Sequence, residues 1–230
     1  MRALRAIIFD LDNTLWDVGP VILRAEHAMF EFLVHHYPRV TGRHDLDSMR
    51  DVRAQMAIEH PKHRHDFTWL RTQALKHHAA EAGYDESMAH DAFEVFYRAR
   101  NEVVLYDDAR PSLDRLRAEY RLFSISNGNA DVARIGLGDY FERSLAARDA
   151  GMMKPDPRIF HILLESAGLV AADVVHVGDD PDADVEGARA AGVRPIWLNR
   201  EGAPWPLASP SPETTIATLE PLPDILHSAR

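Results

Sequence analysis

Short apolar runs that stop at polar clusters constrain the fold of this chain more than any other feature. They are residues 6–9, 122–126, 174–177, 195–198 and 214–217. From Asp107 onward these runs alternate with segments whose apolar residues recur at helical spacing. Strands that alternate with helices form parallel sheets with helices on both faces. The pattern therefore predicts an α/β fold, a doubly wound and mainly parallel sheet of the Rossmann-like kind.

A long segment between the first two strands has a different pattern. Residues 17–105 contain no convincing strand, and apolar residues recur there every three or four positions, as in the stripe of Leu46, Met49, Val52 and Met56. Such spacing is typical of amphipathic helices. We therefore predict a catalytic core made of residues 1–16 and 106–230, interrupted by an all-helical insert at 17–105.

Composition limits the environment and the partners. The 230 residues are 46% hydrophobic, which is enough to bury a sizeable core. A formal net charge of −10 argues against nucleic acid or an anionic membrane as the partner. The chain has no cysteine, and Asp10 and Asp12 interrupt any apolar stretch near its start. We expect a cytoplasmic protein without a membrane segment, and either a monomer or a homodimer.

Two aspartates follow the first strand directly. Asp10 and Asp12 stand two positions apart in FDLDNTLWD, and we expect both at a solvent-facing strand end. A carboxylate at that place can attack phosphorus, and its neighbour can give a proton to the leaving oxygen and later take one from water. The pattern predicts Asp10 as nucleophile and Asp12 as general acid and base. Thr14, which completes the D-x-D-x-T pattern, is a candidate for substrate binding.

The second strand and a later loop supply candidate phosphate-binding groups. Ser126 ends a strand and is followed by Asn127 and Gly128, so a hydroxyl and backbone N–H groups are available for phosphoryl oxygens. Ordinary turn chemistry explains the same residues equally well. Lys154 precedes Pro155 in a stiff loop and could neutralise the nucleophile and the phosphoryl group, or be a solvated surface lysine.

Four acids crowd together after the strand at 174–177, in the string GDDPDAD. Carboxylates so close repel one another unless a cation binds them, and Mg²⁺ takes oxygen ligands. We predict Asp179 as the direct ligand and Asp184 as the supporting one, with Asp180 as the other candidate. An acidic helix N-terminus favoured by the helix dipole is the alternative.

In this order the four motifs resemble the haloacid dehalogenase-like hydrolase superfamily, most of whose members are magnesium-dependent phosphatases. The resemblance implies Asp10 as nucleophile, Asp12 as acid and base, and Ser126 and Lys154 as phosphate and charge stabilisers. It also implies a Mg²⁺ site formed by Asp10, the Asp12 backbone carbonyl and Asp179, with Asp184 in support. The helical insert lies where that superfamily carries a mobile cap.

A closer resemblance is carried by FDLDNTLWD, SNGNAD and HVGDD, which are similar to bacterial flavin mononucleotide hydrolases. It implies a small-molecule phosphate ester as substrate: flavin mononucleotide, or the phosphorylated ribitylamino-uracil of riboflavin synthesis. Trp16 either packs or stacks on that planar substrate.

Other activities and sites stay open. A phosphatase or phosphomutase for a sugar phosphate or nucleotide fits the motifs, whereas a carbon–halogen hydrolase would need neither Asp12 nor a metal. A phospho-aspartate receiver module is generally shorter than this chain and lacks an insert. The histidines at 35–36, 60, 63, 65 and 77–78 fit no zinc spacing and are expected at exposed helix ends and loops.

Overall fold

The computed structural model describes residues 4–228, so positions 1–3 and 229–230 at the ends of the predicted core lie outside it. Six strands form one sheet: β1 (Ala6–Phe9), β2 (Arg121–Ser126), β3 (Arg143–Ala146), β4 (Val174–Gly178), β5 (Arg194–Leu198) and β6 (Thr215–Ile216). Their order is β3-β2-β1-β4-β5-β6, and each of these pairings is parallel. The predicted doubly wound α/β fold is confirmed.

The sheet brings the candidate motifs to one edge. β1 is apolar and fully buried, as expected of a central strand covered on both faces. Phe9 pairs with Ser124 on one side and with Val177 on the other. The carboxyl ends of β1, β2 and β4 are therefore level with one another. The strand order reverses at β1, and such switch points are where open α/β sheets bind ligands.

Val18–Val103 forms one of two compact units, and the other contains the residues up to Asp17 and from Val104 onward. The helices of Val18–Val103 are α1 (Val18–His36), α2 (Pro38–Thr41), α3 (Leu46–Glu59), α4 (Phe67–Ala82) and α5 (Ser87–Arg100), with a 3₁₀ turn at Pro61–His63. Asp45 and Asp66 cap α3 and α4 through their carboxylates, and Gly83 ends α4 at a φ of 68°. The interpretation of this unit as a cap stays a prediction.

The sheet-containing unit has the remaining helices: α6 (Ala109–Leu116), α7 (Ala147–Ala150), α8 (Pro157–Ala167), α9 (Gly187–Ala190) and α10 (Leu222–Ser228). Short 3₁₀ turns lie at Gly138–Tyr140 and Ala171–Asp173. A π-helical turn, Pro181–Glu186, precedes α9. Across residues 4–228, none of the helices is both long and apolar enough to span a membrane.

Strand β3 has no counterpart in the sequence prediction. Its four residues, RSLA, include only one fully buried side chain, because β3 lies at the edge of the sheet. The strand exists through its pairing with β2, where the Ser124 hydroxyl donates to the Ser144 hydroxyl at 2.6 Å. A strand held by its neighbour leaves no periodic apolar pattern to detect.

Candidate active site

A tight turn after β1 fixes both aspartates of the first motif. The Asp10 N–H donates to the Val177 carbonyl at 2.8 Å, which continues the sheet by one residue. Asn13 has a φ of 60°, a left-handed conformation that asparagine tolerates better than most residues, and its N–H donates to the Trp16 carbonyl at 2.7 Å. The turn therefore holds Asp10 and Asp12 on a rigid backbone at the sheet edge.

Lys154 lies at the centre of the site. Its Nζ donates to Asp10 Oδ1 and to Asp184 Oδ1, both at 2.5 Å, and the lysine is only 2% exposed. It is therefore not a surface lysine. Asp10 is 7% exposed, so the expectation of a solvent-facing nucleophile was wrong: a lysine aimed at the carboxylate covers the strand end.

Asp184 is the most constrained carboxylate of the site. Its Oδ1 also contacts His176 Nε2 at 2.9 Å, and its Oδ2 accepts from the Asp180 N–H at 3.0 Å. A Cβ added to Gly178 would lie 2.2 Å from the Asp184 side chain, so only glycine fits at the end of β4. Asp184 is held in place from several sides before any ligand binds.

The Asp180 carboxylate serves a different purpose. Its Oδ1 accepts from the N–H groups of Asp182 and Ala183 at 2.8 and 2.9 Å and so caps the π-helical turn. Asp180 is therefore the weaker of the two candidates for a supporting metal ligand. Both alternatives predicted from the sequence are therefore present after β4. Asp180 caps a helical turn, and Asp179 and Asp184 belong to a carboxylate cluster.

Asp179 is oriented through both its side chain and its backbone. The Thr14 hydroxyl donates to Asp179 Oδ1 at 3.4 Å, and the Trp197 indole N–H donates to the Asp179 carbonyl at 2.8 Å. Thr14 is fully buried. The expectation that Thr14 binds substrate is corrected, because its hydroxyl faces Asp179 from inside the protein.

Burial, and to a lesser extent repulsion between carboxylates, shifts the pKa values of Asp10 and Asp179. Burial raises the pKa of Asp179 to about 7, and Asp184 adds to the effect. Burial also raises the pKa of Asp10 well above its ordinary value, although Lys154 opposes it. Burial lowers the pKa of Lys154, but its two carboxylate partners raise it by more. Lys154 therefore does not offset the effect of burial on Asp10 and Asp179.

The residues present fit a hard divalent cation. Asp10, Asp179 and Asp184 each offer a carboxylate oxygen, and these oxygens lie within 4.8 Å of one another. Mg²⁺ prefers such oxygen ligands, and a cation placed among them would favour the charged forms of Asp10 and Asp179, which burial and then mutual repulsion disfavour. The predicted ligands Asp10, Asp179 and Asp184 are brought together.

The loop after β2 has a structural pairing that the sequence did not reveal. The Asn127 side chain donates to the Lys154 carbonyl at 2.9 Å and accepts from the Lys154 N–H at 2.8 Å. The Asn127 side chain therefore positions the lysine, and the predicted role of Asn127 in substrate binding stays a prediction. The Ser126 hydroxyl accepts from the Gly128 N–H at 3.0 Å at the same sheet edge as Asp10. This turn engages the Gly128 N–H, and the roles of Ser126 and Gly128 in phosphate binding stay predictions.

Trp16 is placed differently from the expectation of a stacking platform. The residue is fully buried, and its indole N–H donates to Asp12 Oδ1 at 2.9 Å. A ring without an exposed face cannot stack on a substrate, so the packing alternative is the correct one. The new feature is the hydrogen bond, which holds the carboxylate of the predicted acid and base.

His176 is a site residue that sequence reasoning missed. It is fully buried in β4, and burial lowers the pKa of its imidazole. The available signal was a single polar residue inside the apolar run VVHVG, two positions before the glycine. Side chains two positions apart on a strand point to the same face of the sheet. The His176 side chain therefore lies on the face to which a side chain at Gly178 would point.

The sheet and the acids at its switch point define an α/β enzyme with a carboxylate-based site. A family model described as haloacid dehalogenase-like hydrolase matches residues 4–192. The 5-amino-6-(5-phospho-D-ribitylamino)uracil phosphatase YigB of Escherichia coli (strain K12) is 32% identical over 86% of this chain and 84% of that protein. The phosphoserine phosphatase of Thermus thermophilus is 35% identical over 61% of this chain and 59% of that protein.

Among solved structures, a 2-haloacid dehalogenase from Pseudomonas syringae pv. Tomato DC3000 superposes with a TM-score of 0.93 at 38% identity. The match covers 99% of this chain and 100% of that one. The chain belongs to the haloacid dehalogenase-like hydrolase family. The predicted family is confirmed, and so is the predicted enzyme class, a phosphatase-type hydrolase.

Proposed function

We propose that this protein is a magnesium-dependent phosphomonoester hydrolase that works through an aspartyl-phosphate. The observation that carries the proposal is the pairing of two aspartates in different environments. Asp10 is buried against Lys154 Nζ, whereas Asp12 is partly exposed and held by the Trp16 indole. One carboxylate is thereby suited to attack and the other to proton transfer.

The reaction proceeds in two displacements. Asp10 attacks phosphorus while Asp12 gives its proton to the departing alkoxide oxygen, which releases the alcohol and leaves the phosphoryl group on Asp10. Asp12 then takes a proton from water, the water oxygen attacks phosphorus, and the bond to Asp10 breaks. Phosphate is released and both aspartates return to their starting states. The Lys154 ammonium beside Asp10 balances charge on the phosphoryl group throughout.

Mg²⁺, when bound by Asp10, Asp179 and the supporting Asp184, would screen the negative charge of phosphate and carboxylates so that two anions can approach each other. We expect EDTA to abolish activity and added Mg²⁺ to restore it. Asp179→Ala is expected to raise the magnesium requirement more than Asp184→Ala, which loses a carboxylate already engaged by Lys154 and His176. Full phosphatase activity in EDTA would contradict the metal dependence.

Hydrolysis of a carbon–halogen bond is the second candidate, favoured by the similarity to the Pseudomonas dehalogenase. Halide leaves without protonation, so that reaction uses Asp10 alone. The ordered hydrogen bond to Asp12 and the three-carboxylate cluster support the phosphatase instead. Assays of 2-chloropropionate and p-nitrophenyl phosphate, each with and without EDTA, separate the two. Halide release that persists in EDTA and in Asp12→Asn would favour the dehalogenase.

A cavity beside Asp179 supports a substrate class. It has a volume of about 360 Å³, within the usual range for small-molecule sites. Its lining combines aromatic and polar side chains, including Tyr106, Trp197, Asn199 and Asn13. A ribityl chain fits such a lining, because amide groups bind hydroxyls and ring faces pack on carbon.

The charged residues that line the cavity narrow the class of substrate further. Asp17, Asp179 and Glu201 line the cavity, and Arg200 is its one basic residue within the described part of the chain. That guanidinium is already paired with Asp108 through two contacts of 3.0 Å. The lining therefore disfavours leaving groups that carry a carboxylate or a second phosphate. An uncharged, hydroxyl-rich alcohol is the best fit.

We infer from this lining, and from the similarity to the Escherichia coli phosphatase, that the substrates are the phosphorylated ribitylamino-uracil and flavin mononucleotide. Steady-state kinetics should give a higher kcat/KM for both than for phosphoserine. Glu201→Gln, which removes one exposed charge of the cavity, should improve kcat/KM for phosphoserine and leave p-nitrophenyl phosphate unchanged. Much faster turnover of sugar phosphates would overturn the substrate assignment and leave the phosphatase intact.

A further inference from the structure

A second group of metal-ligating side chains lies in the unit Val18–Val103, apart from the carboxylate cluster. It consists of His44, in the turn before α3, and His78 and Glu81 on α4. One ligand atom of each lies within 4.8 Å of the others. His44 Nε2 is 3.1 Å from Glu81 Oε2, and His78 Nδ1 is 4.0 Å from the same oxygen.

These separations suit a transition metal. In a tetrahedral zinc site with bonds of about 2.0–2.1 Å, neighbouring ligand atoms are about 3.3–3.5 Å apart. The two measured separations bracket that value, so small side-chain rotations bring the atoms onto one ion. Two imidazoles and one carboxylate are a donor set typical of zinc with an open fourth position, and Mg²⁺ disfavours it.

His78 provides the independent observation that points to a ligand. It is fully buried, yet neither of its ring nitrogens has a hydrogen-bond partner among the described residues. Buried polar groups are almost always hydrogen-bonded, and such an exception calls for a physical reason.

Regular hydrogen bonding fixes the backbone of both segments that carry these side chains, the turn with His44 and the helix with His78 and Glu81. The His44 N–H donates to the Val40 carbonyl at 3.0 Å, and the next residue, Asp45, caps α3 through Ser48. His78 and Glu81 are three positions apart on α4 and therefore share one helix face. The half-exposed Glu81 leaves an open side through which an ion and a water can enter.

We propose that His44, His78 and Glu81 form a zinc-type binding site with water as the fourth ligand. A metal bound there would join the turn before α3 to α4, and so stabilise the unit Val18–Val103. The site is independent of the phosphatase chemistry, because each ligand belongs to this unit.

The test measures zinc binding to the full chain after EDTA treatment and dialysis, by competition with a chromogenic chelator. Millimolar Mg²⁺ is present so that the carboxylate cluster is occupied by its preferred ion. We expect one Zn²⁺ per chain. Glu81→Gln and His44→Ala should each weaken binding by about 100-fold or more, since even the partners of metal ligands contribute about 10- to 100-fold. The matched control His90→Ala removes an exposed histidine of α5 and should bind as wild type.

Two further measurements separate zinc at this site from zinc bound elsewhere and from a loss of folding. Co²⁺ should give the visible absorption of a four-coordinate imidazole site in wild type and lose it in Glu81→Gln, whose exposed position spares the fold. Zn²⁺ should raise the Tm of wild type and of His90→Ala but not of Glu81→Gln. Wild-type zinc affinity in both Glu81→Gln and His44→Ala would overturn the proposal. So would loss of the bound zinc in Asp179→Asn, which would place the ion at the carboxylate cluster.

Discussion

Each of the two units buries a cluster of charges, and the clusters have opposite compositions. In the sheet-containing unit, Asp10, Asp179 and Asp184 form a carboxylate cluster, and one lysine, Lys154, pairs with Asp10 and Asp184. In the unit Val18–Val103 a single buried carboxylate, Glu26, accepts hydrogen bonds from three arginines: from Arg50 at 2.7 Å, Arg53 at 2.8 Å and Arg71 at 3.2 Å. One cluster has too few cations, and the other has more than it needs.

The excess of arginines around Glu26 and the excess of carboxylates at the sheet edge have different consequences. Arg50 and Arg53 are 37% and 29% exposed, so their excess charge is solvated, and the cluster is complete as it stands. Burial alone would raise the pKa of Glu26, but the hydrogen bonds from Arg53 and Arg50 lower it to about 2. At the sheet edge Asp10 and Asp184 are buried and Asp179 is partly buried, and this burial raises the pKa of Asp179 to about 7. A satisfied cluster stabilises the fold, whereas an unsatisfied one requires a ligand.

Asp10→Asn should show the largest difference between the carboxylate cluster and the Glu26 cluster. Removal of the proposed nucleophile should lower kcat by at least about 1000-fold, measured with p-nitrophenyl phosphate and Mg²⁺. The free energy of unfolding should stay level or rise, because Lys154 keeps Asp184 as its partner and a repelling carboxylate is lost. Glu26→Gln should show the reverse, with unchanged kcat and reduced stability. Activity of Asp10→Asn above a few per cent of wild type would rule out its role as nucleophile.

Lys154→Met tests whether the lysine is the electrostatic centre of its cluster. Without it, Asp10 and Asp184 are buried carboxylates that have lost their shared cation, and stability should fall by about 3–5 kcal/mol in denaturant titration without metal. Added Mg²⁺ should recover part of that loss. The matched change Arg53→Met in the arginine cluster should cost less than about 1 kcal/mol, because Arg50 and Arg71 remain on Glu26. Equal losses in both variants would remove the distinction between the clusters.

The pH dependence of stability should identify the Glu26 cluster. A carboxylate with a folded pKa of about 2, against 4.5 ordinarily, stabilises the fold above the ordinary value. That contribution, up to about 3 kcal/mol, is lost as the pH falls from 4.5 through about 2. The difference in unfolding free energy between wild type and Glu26→Gln should therefore be full at pH 7 and shrink below pH 4.5. A difference that does not change with pH would mean that the loss in Glu26→Gln is one of packing.

Trp16→Phe is expected to have the smallest effect. It keeps the buried ring but deletes the N–H that donates to Asp12, and hydrogen bonds to charged groups contribute about 1.5–3 kcal/mol. We expect kcat to fall about 10-fold or more, equally for flavin mononucleotide and p-nitrophenyl phosphate, with KM unchanged. Trp69→Phe in α4 serves as the control tryptophan and should leave kcat unchanged. A rise in KM confined to flavin mononucleotide would restore the stacking role.

The sequence by itself determined the sheet and the positions of its motifs. The strands β1, β2, β4 and β5 were predictable because each is an apolar run whose period and flanking residues are local properties. Asp10, Asp179 and Asp184 were predictable as one site because parallel strands bring their carboxyl ends to the same edge, whereas Lys154 was joined to them only by the family resemblance. Helix α3 was predictable because its stripe of Leu46, Met49, Val52 and Met56 extends over several turns.

Only the tertiary structure decided which way the side chains at that edge point and which partners they find. Nothing local indicates that Thr14 and Trp16 turn inward to Asp179 and Asp12, or that Asn127 binds the Lys154 backbone. These contacts join segments distant in the chain or depend on the left-handed turn at Asn13. The grouping of His44 with His78 and Glu81 has the same origin. Packing of α3 against α4 brings these three side chains together, and their spacing in the sequence does not predict a distance that packing sets.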